Sequence, residues 1–158
     1  FAKVTNKKKA KTIEEAVTHA DVVIGVSGPG IIKAEMVKKM NTNAIVLAMA
    51  NPTPEIMPEL AKAAGAVIVG TGRSDFPNQI NNVLAFPGLF RGLLDARATK
   101  VSQEVKLKAA LTLANILEKP THEQILPSPL DKSVVPKIAK AVYDQVMKEK
   151  GNSANKNI

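Results

Sequence analysis

The sequence predicts an α/β fold: half of a doubly wound, Rossmann-like parallel sheet of three strands, followed by C-terminal helices. Two observations carry this. Apolar runs beginning at Val22, Ile45 and Val67 recur about every 22 residues with a helical pattern between each pair, which marks a βαβαβ unit with right-handed crossovers. Beyond Gly70 the apolar residues recur only at helical spacing.

Taken in order, Thr12 followed by Glu15 is a capping-box pattern that opens a helix over Ile13 to His19. Asp21 leads into Val22-Val23-Ile24-Gly25-Val26, a β-branched run of the kind found in strands buried on both faces. Ser27-Gly28-Pro29-Gly30 stops it, and a helix over Lys33 to Lys39 follows. The next strand runs from Ala44 to Met49 and is broken by Asn51-Pro52-Thr53-Pro54. Pro58 suits the first turn of a short helix that Gly65 ends. Ala66 to Val69 is the third strand.

From Gly70 the chain turns polar, and Asn78, Gln79, Asn81 and Asn82 crowd the start of a helix. Its apolar stripe is Ile80, Val83, Leu84, Pro87, Phe90 and Leu94. Four carboxamides within five residues exceed what one helix cap needs. Two readings stay open: an over-polar loop and cap, or amide side chains holding a small polar ligand. A second helix opens at Ser102 and carries Val105, Ala109, Leu113 and Ile116. Lys119 to Pro129, with three prolines, is an extended loop. The last helix opens at Asp131 and aligns Val135, Ile138, Val142 and Val146. The expected organisation is one domain over 1–150 and a disordered tail over 151–158.

Bulk composition narrows the function classes. A chain of 158 residues has room for one ordinary core, and 45% apolar with 23% charged residues suits a folded, soluble domain. No apolar run is long enough to cross a bilayer. The start, Phe1-Ala2-Lys3-Val4-Thr5, has no initiator Met and no signal-peptide pattern, and reads as a chain cut from something longer. Without cysteine there are no disulfides or thiolate metal sites, which is compatible with a reducing cytoplasm. The net charge of +8 raises a nucleic-acid reading, but Lys3, Lys7, Lys8, Lys9, Lys11, Lys148, Lys150 and Lys156 concentrate at the two ends. With 3% aromatic residues the chain has no base-stacking platform. We expect no nucleic-acid partner and no membrane association.

In an open parallel sheet, ligands bind beyond the carboxyl ends of the strands. All three such ends here are polar or glycine-rich: Ser27-Gly28-Pro29-Gly30, Asn51-Pro52-Thr53 and Thr71-Gly72-Arg73-Ser74. Gly28 and Gly30 allow a ring or sugar to approach the backbone closely. No G-x-G-x-x-G opens a helix, so the pyrophosphate cradle of a dinucleotide site is not encoded. His19, His122 and Tyr143 stand alone in sequence, without a partner set for acid–base or nucleophilic chemistry.

Longer motifs add a resemblance. Asn51-Pro52-Thr53-Pro54-Glu55 and the unbroken stretch Thr71-Gly72-Arg73-Ser74-Asp75-Phe76-Pro77-Asn78-Gln79-Ile80-Asn81-Asn82-Val83-Leu84-Ala85-Phe86-Pro87-Gly88 come first. With Ser27-Gly28-Pro29-Gly30 before them and Ile125-Leu126-Pro127-Ser128-Pro129 after them, they resemble the carboxy-terminal half of a malic enzyme of the short bacterial type. The resemblance implies part of an oxidoreductase that oxidatively decarboxylates L-malate to pyruvate and CO2. Its cofactors would be NAD or NADP and Mg²⁺ or Mn²⁺. It implies that the catalytic tyrosine and lysine, the metal ligands and the glycine-rich cofactor loop belong to preceding sequence, so the chain alone is inactive. Asn51, Asn81 and Asn82 match substrate-binding positions; Asn82 matches the amide on a malate carboxylate, with Asn81 as the neighbouring candidate. Ser27, Gly28 and Pro29 match the loop along the cofactor, and Asn51 can also meet the nicotinamide ribose. The implied partners are L-malate or pyruvate, the rest of the enzyme chain and a second copy in a dimer, in the cytoplasm. Malolactic enzyme, which converts malate to lactate, and a non-catalytic nucleotide-binding module are the alternatives.

Overall fold

The computed structural model describes residues 5, 6 and 9–154. Lys3, Lys7, Lys8, Lys156 and the last four residues of the expected tail lie outside the described residues. The stretch expected to form one domain contains two compact units. One runs to Ile80 and takes in Thr121–Gln124; the other comprises Asn81–Pro120 and Ile125 onward.

The first unit is the sheet. Its order is α1 (Ile13–Val17), β1 (Val22–Gly25), α2 (Ala34–Val37), β2 (Ile45–Ala48), α3 (Pro58–Ala63) and β3 (Ile68–Thr71). All strands are parallel in the order β1-β2-β3, with Val22 opposite Ile45 and Ile45 opposite Ile68. The three-strand Rossmann-like half-sheet is therefore present. Thr12 caps α1 by accepting from the Glu15 amide at 3.1 Å, while Glu15 reaches back to the Lys11 amide at 2.7 Å. His19, at φ 59, lies just past this helix rather than on it.

β1 and β2 are not buried on both faces. Val46, Ala48 and Val69 join Val17, Val37 and Ala61 in one core, whereas Ile45 and Leu47 on the other side of β2 are only half-buried. On β1, Val22 is 45% exposed and Ile24 60%. Side chains alternate along a strand, and the short helices between these strands cover a single face. A β-branched run reads the same whether its second face is covered or not.

The third strand also begins later than its apolar run. It comprises Ile68–Thr71 rather than Ala66–Val69, because Val67 bonds to Ala44 outside the ladder and Gly70 and Thr71 pair with Leu47 and Ala48. Its outer edge is closed by the following loop. Thr71 bridges to Gln79, the Ile80 amide donates to the Thr71 carbonyl at 2.7 Å, and Asn78 Nδ2 donates to the Val69 carbonyl at 3.1 Å.

The second unit is helical: a 3₁₀ turn at Asn82–Leu84, then α4 (Phe86–Asp95), α5 (Gln103–Ala114) and α6 (Val134–Ala154). Ser102 caps α5 as expected, accepting from the Val105 amide at 3.1 Å. Helix α6 begins three residues after Asp131, and Gly151–Ala154, assigned above to a disordered tail, are helical. Ile80 and Asn82 do not belong to an α-helix, which starts only at Phe86 with Pro87 in its first turn.

The face that α4 buries also differs from the one its apolar stripe indicates. Of that stripe, Phe90 and Leu94 on α4 are 54% and 75% exposed and Val83 before it 47%, whereas Leu84 is buried in the 3₁₀ turn that precedes the helix. The buried side carries Gly88, Gly92 and Leu93. Glycines four residues apart let α6 approach closely. A Cβ at Gly88 would fall 2.7 Å from Ile138 Cβ, and one at Gly92 2.4 Å from the Ala139 carbonyl oxygen. Contact distance has overridden hydrophobicity in choosing the face.

Gly92→Ala therefore tests the crossing. Helix propensity alone favours alanine by roughly 1 kcal/mol. Overpacking against α6 predicts a net loss of about 1–3 kcal/mol in urea unfolding. A gain in stability would contradict the close approach.

Candidate functional site

The carboxyl ends of β1 and β2 are joined through one side chain that no local pattern singles out. Glu55 is fully buried, at 0% exposure. Its Oε1 accepts from the Ser27 amide at 2.7 Å and the Ser27 hydroxyl at 3.1 Å, and its Oε2 accepts from the Ala50 amide at 3.0 Å. Backbone bonds reinforce the junction: the Gly30 amide donates to the Pro54 carbonyl at 3.3 Å and the Ile32 amide to the Glu55 carbonyl at 3.1 Å. Gly25, the last residue of β1, supplies the room. A Cβ there would stand 2.5 Å from Glu55 Cδ.

Burial opposes ionisation of Glu55 and pushes its pKa upward. The amides of Ser27 and Ala50, its own backbone and the Ser27 hydroxyl outweigh that, and its pKa lies below the ordinary value of 4.5. A carboxylate, rather than a neutral acid, joins the loops.

Around this junction, Ser27 and Pro29 are exposed and Gly28 is half-buried. A Cβ at Gly28 would meet only Ile31 Cδ1, at 3.6 Å, so the backbone there is open. Asn51 is exposed, and among the described residues its side chain makes no hydrogen bond. The structure thus brings Ser27, Gly28, Pro29 and Asn51 to one end of the sheet. The third loop adjoins them: a Cβ at Gly72 would lie 3.5 Å from the Met49 carbonyl oxygen. Within it, Arg73 pairs with Asp75 at 2.8 and 2.6 Å and lies over the Phe76 ring at 5.1 Å, so its charge is engaged locally.

The four carboxamides separate by task. Asn78 is buried, with φ 56, and its Nδ2 donates to the Val69 and His122 carbonyls. Gln79 Nε2 reaches the Gly72 carbonyl at 3.5 Å. Asn81, in the other unit, caps the 3₁₀ turn by accepting from the Val83 amide at 3.0 Å. Asn82 is exposed, and among the described residues its side chain makes no hydrogen bond. Three of the amides thus build loop and cap, as the first sequence reading has it, and the fourth, Asn82, is left to solvent. Among the described residues no three His, Asp or Glu side chains stand together as cation ligands. No helix there is long and apolar enough to cross a membrane.

The family model for the malic enzyme NAD-binding domain matches residues 1–149. The chain belongs to the malic enzyme family. It is 50% identical over 149 residues to the bifunctional malic/malolactic enzyme of Bacillus subtilis, a match spanning 92% of this chain and 36% of that protein. It is 48% identical to the NAD-dependent malic enzyme of Geobacillus stearothermophilus, over 91% of this chain and 30% of that one. Among solved structures, malic enzyme from Pyrococcus horikoshii is 52% identical with a TM-score of 0.81, covering 87% of this chain and 32% of that one. Entamoeba histolytica malic enzyme, 42% identical, superposes with a TM-score of 0.88 over 92% of this chain and 31% of its own. The chain thus spans about a third of these malic enzymes' length.

Glu55 stands within the motif that carries the family resemblance, and its neighbours Pro54 and Ile56 are buried with it. Its lowered pKa sets the sign of a pH dependence. Stability from the carboxylate is complete above the unfolded value of 4.5 and is lost as pH falls through the lower folded value. Urea unfolding across that acid range is expected to show a steeper loss in the native chain than in Glu55→Gln. Identical slopes would contradict an ionised Glu55.

Proposed function

We propose that this chain forms part of the cofactor and substrate site of an NAD(P)-dependent malic enzyme that oxidises and decarboxylates L-malate to pyruvate and CO2. One observation carries the reading. In a chain of this family, the Ser27–Gly30 and Asn51–Glu55 loops are locked together at the ligand-binding end of the sheet, with the Asn51 amide left open to solvent. When bound, the nicotinamide supplies hydride acceptance.

The residues of this chain hold and orient. The open backbone at Ser27, Gly28 and Pro29 lies along the dinucleotide, and Asn51 donates to malate or to the nicotinamide ribose. Asn82 donates its amide to a malate carboxylate. Asn81 is the weaker candidate because its oxygen already caps the 3₁₀ turn. A neutral amide suits a small dianion beside a metal: it donates without adding charge or competing for the cation. The Mg²⁺ or Mn²⁺ ligands and the catalytic tyrosine and lysine come from outside this chain, which is inactive by itself. The whole enzyme works as a homodimer in the cytoplasm. A second reading, malate to lactate without net redox, is favoured by the 50% identity to a relative named as bifunctional malic/malolactic.

Two substitutions in the complete enzyme test this. Asn82→Ala is expected to lower kcat/KM for malate by roughly 10², the loss typical of one oriented donor, with little change in Tm. An unchanged kcat/KM would refute the assignment. A Cβ at Gly28 meets only Ile31 Cδ1 among the described residues, so Gly28→Val is expected to fold, with an unchanged Tm as the check. It should raise the KM for NAD(P) roughly tenfold or more by blocking close approach. Normal cofactor affinity would remove this loop from the site.

A further inference from the structure

We infer that Glu55 is a positioning residue for cofactor binding, because one buried carboxylate fixes the Ser27 loop and the Ala50–Asn51 loop as a single rigid element. This rests on the reading above of those loops as the cofactor wall and adds to it a residue that touches no ligand itself.

The geometry supports a coupling role over a merely local one. Ser27 and Glu55 are 28 residues apart, and each carboxylate oxygen serves a different strand end: Oε1 takes the Ser27 amide and hydroxyl, Oε2 the Ala50 amide. Both amides sit in the first turn of chain beyond their strands, where no ladder partner holds them. Ser27 opens the Ser27–Pro29 stretch assigned to the cofactor and Ala50 precedes Asn51, so the anchored amides lie within that stretch or one peptide from it. The Ser27 hydroxyl is turned inward onto Oε1. It therefore aligns the loop, and the ligand meets backbone there. Gly25 completes the device, since any side chain at that position would expel the carboxylate from between the strands.

The consequence is a cofactor wall whose two loops open together when the carboxylate is lost. Glu55→Gln keeps the shape but sets an amide NH2 against one of the two backbone amides; that anchor is lost, and with it the junction through which each loop holds the other in place. Glu55→Asp keeps the charge and shortens the reach. In the complete enzyme, the test is steady-state kinetics with NAD and NADP together with hydrogen exchange of the segments 26–32 and 49–55. Glu55→Gln is expected to raise the KM for the cofactor roughly tenfold, the order set by one charge-assisted hydrogen bond, and to leave kcat at saturation within about twofold. Exchange should quicken in both segments at once. Glu55→Asp should move KM in the same direction by less, and it decides the matter if the glutamine variant does not fold.

Unchanged cofactor KM in the folded variants, or faster exchange confined to one segment, would overturn the inference. Gly28→Val, run alongside, separates the two levels. If it weakens cofactor binding while the Glu55 variants do not, only the positioning role fails. If none of them alters cofactor KM, the loop is not the cofactor wall and both readings fall.

Discussion

A buried carboxylate is the constraint on which the strand-end architecture depends. Removing an ionised group from water carries a penalty of several kcal/mol unless its lone pairs are satisfied. Glu55 meets that condition with two backbone amides and a hydroxyl. The bonds hold the ends of β1 and β2 in one arrangement, because any displacement of either loop strands a charge in the interior. The ion pairs elsewhere are of another kind. Lys39 with Glu14, Lys62 with Glu123, Arg91 with Asp95 and Lys140 with Asp144 all lie at the surface. Such pairs contribute at most about 1 kcal/mol each and fix little.

Small residues recur wherever this molecule needs close approach. Gly25 makes space for the Glu55 carboxylate, Gly70 lies beneath Ile80, and Gly88 and Gly92 admit α6 against α4. In each place a Cβ would come within 3 Å of another atom, so these glycines are chosen for volume. Gly28 differs, since the chain itself leaves room for a side chain there. An opening that internal packing does not need is the pattern expected where a ligand meets backbone.

Much of the fold was legible because its signals are local. Three apolar runs separated by helical patterns define the parallel sheet, Pro58 and Ser102 open helices where expected, and Thr12 caps the first. The misread features depend on partners distant in sequence. The stripe of Val83, Phe90 and Leu94 has helical period, but the glycines opposite it make the tighter contact with α6. The third strand extends through Gly70 and Thr71 because β2 pairs with them, which no propensity indicates. Asn78 looked like a cap residue and instead closes a sheet edge from a left-handed backbone position. The placement of Ser27, Gly28, Pro29 and Asn51 at one end of the sheet was legible from their position just beyond the strands. Glu55 was not, because its partner Ser27 stands 28 residues away and glutamate normally reads as surface.

The most direct measurement of the central claim is a crystal structure of the complete enzyme with bound NAD(P) and malate. The dinucleotide is expected to lie along the Ser27–Pro29 backbone, with the Asn82 carboxamide within hydrogen-bond distance of a malate carboxylate and Glu55 still holding both strand ends without touching ligand. A dinucleotide seated away from that backbone, with Asn82 turned to solvent in the ternary complex, would contradict it.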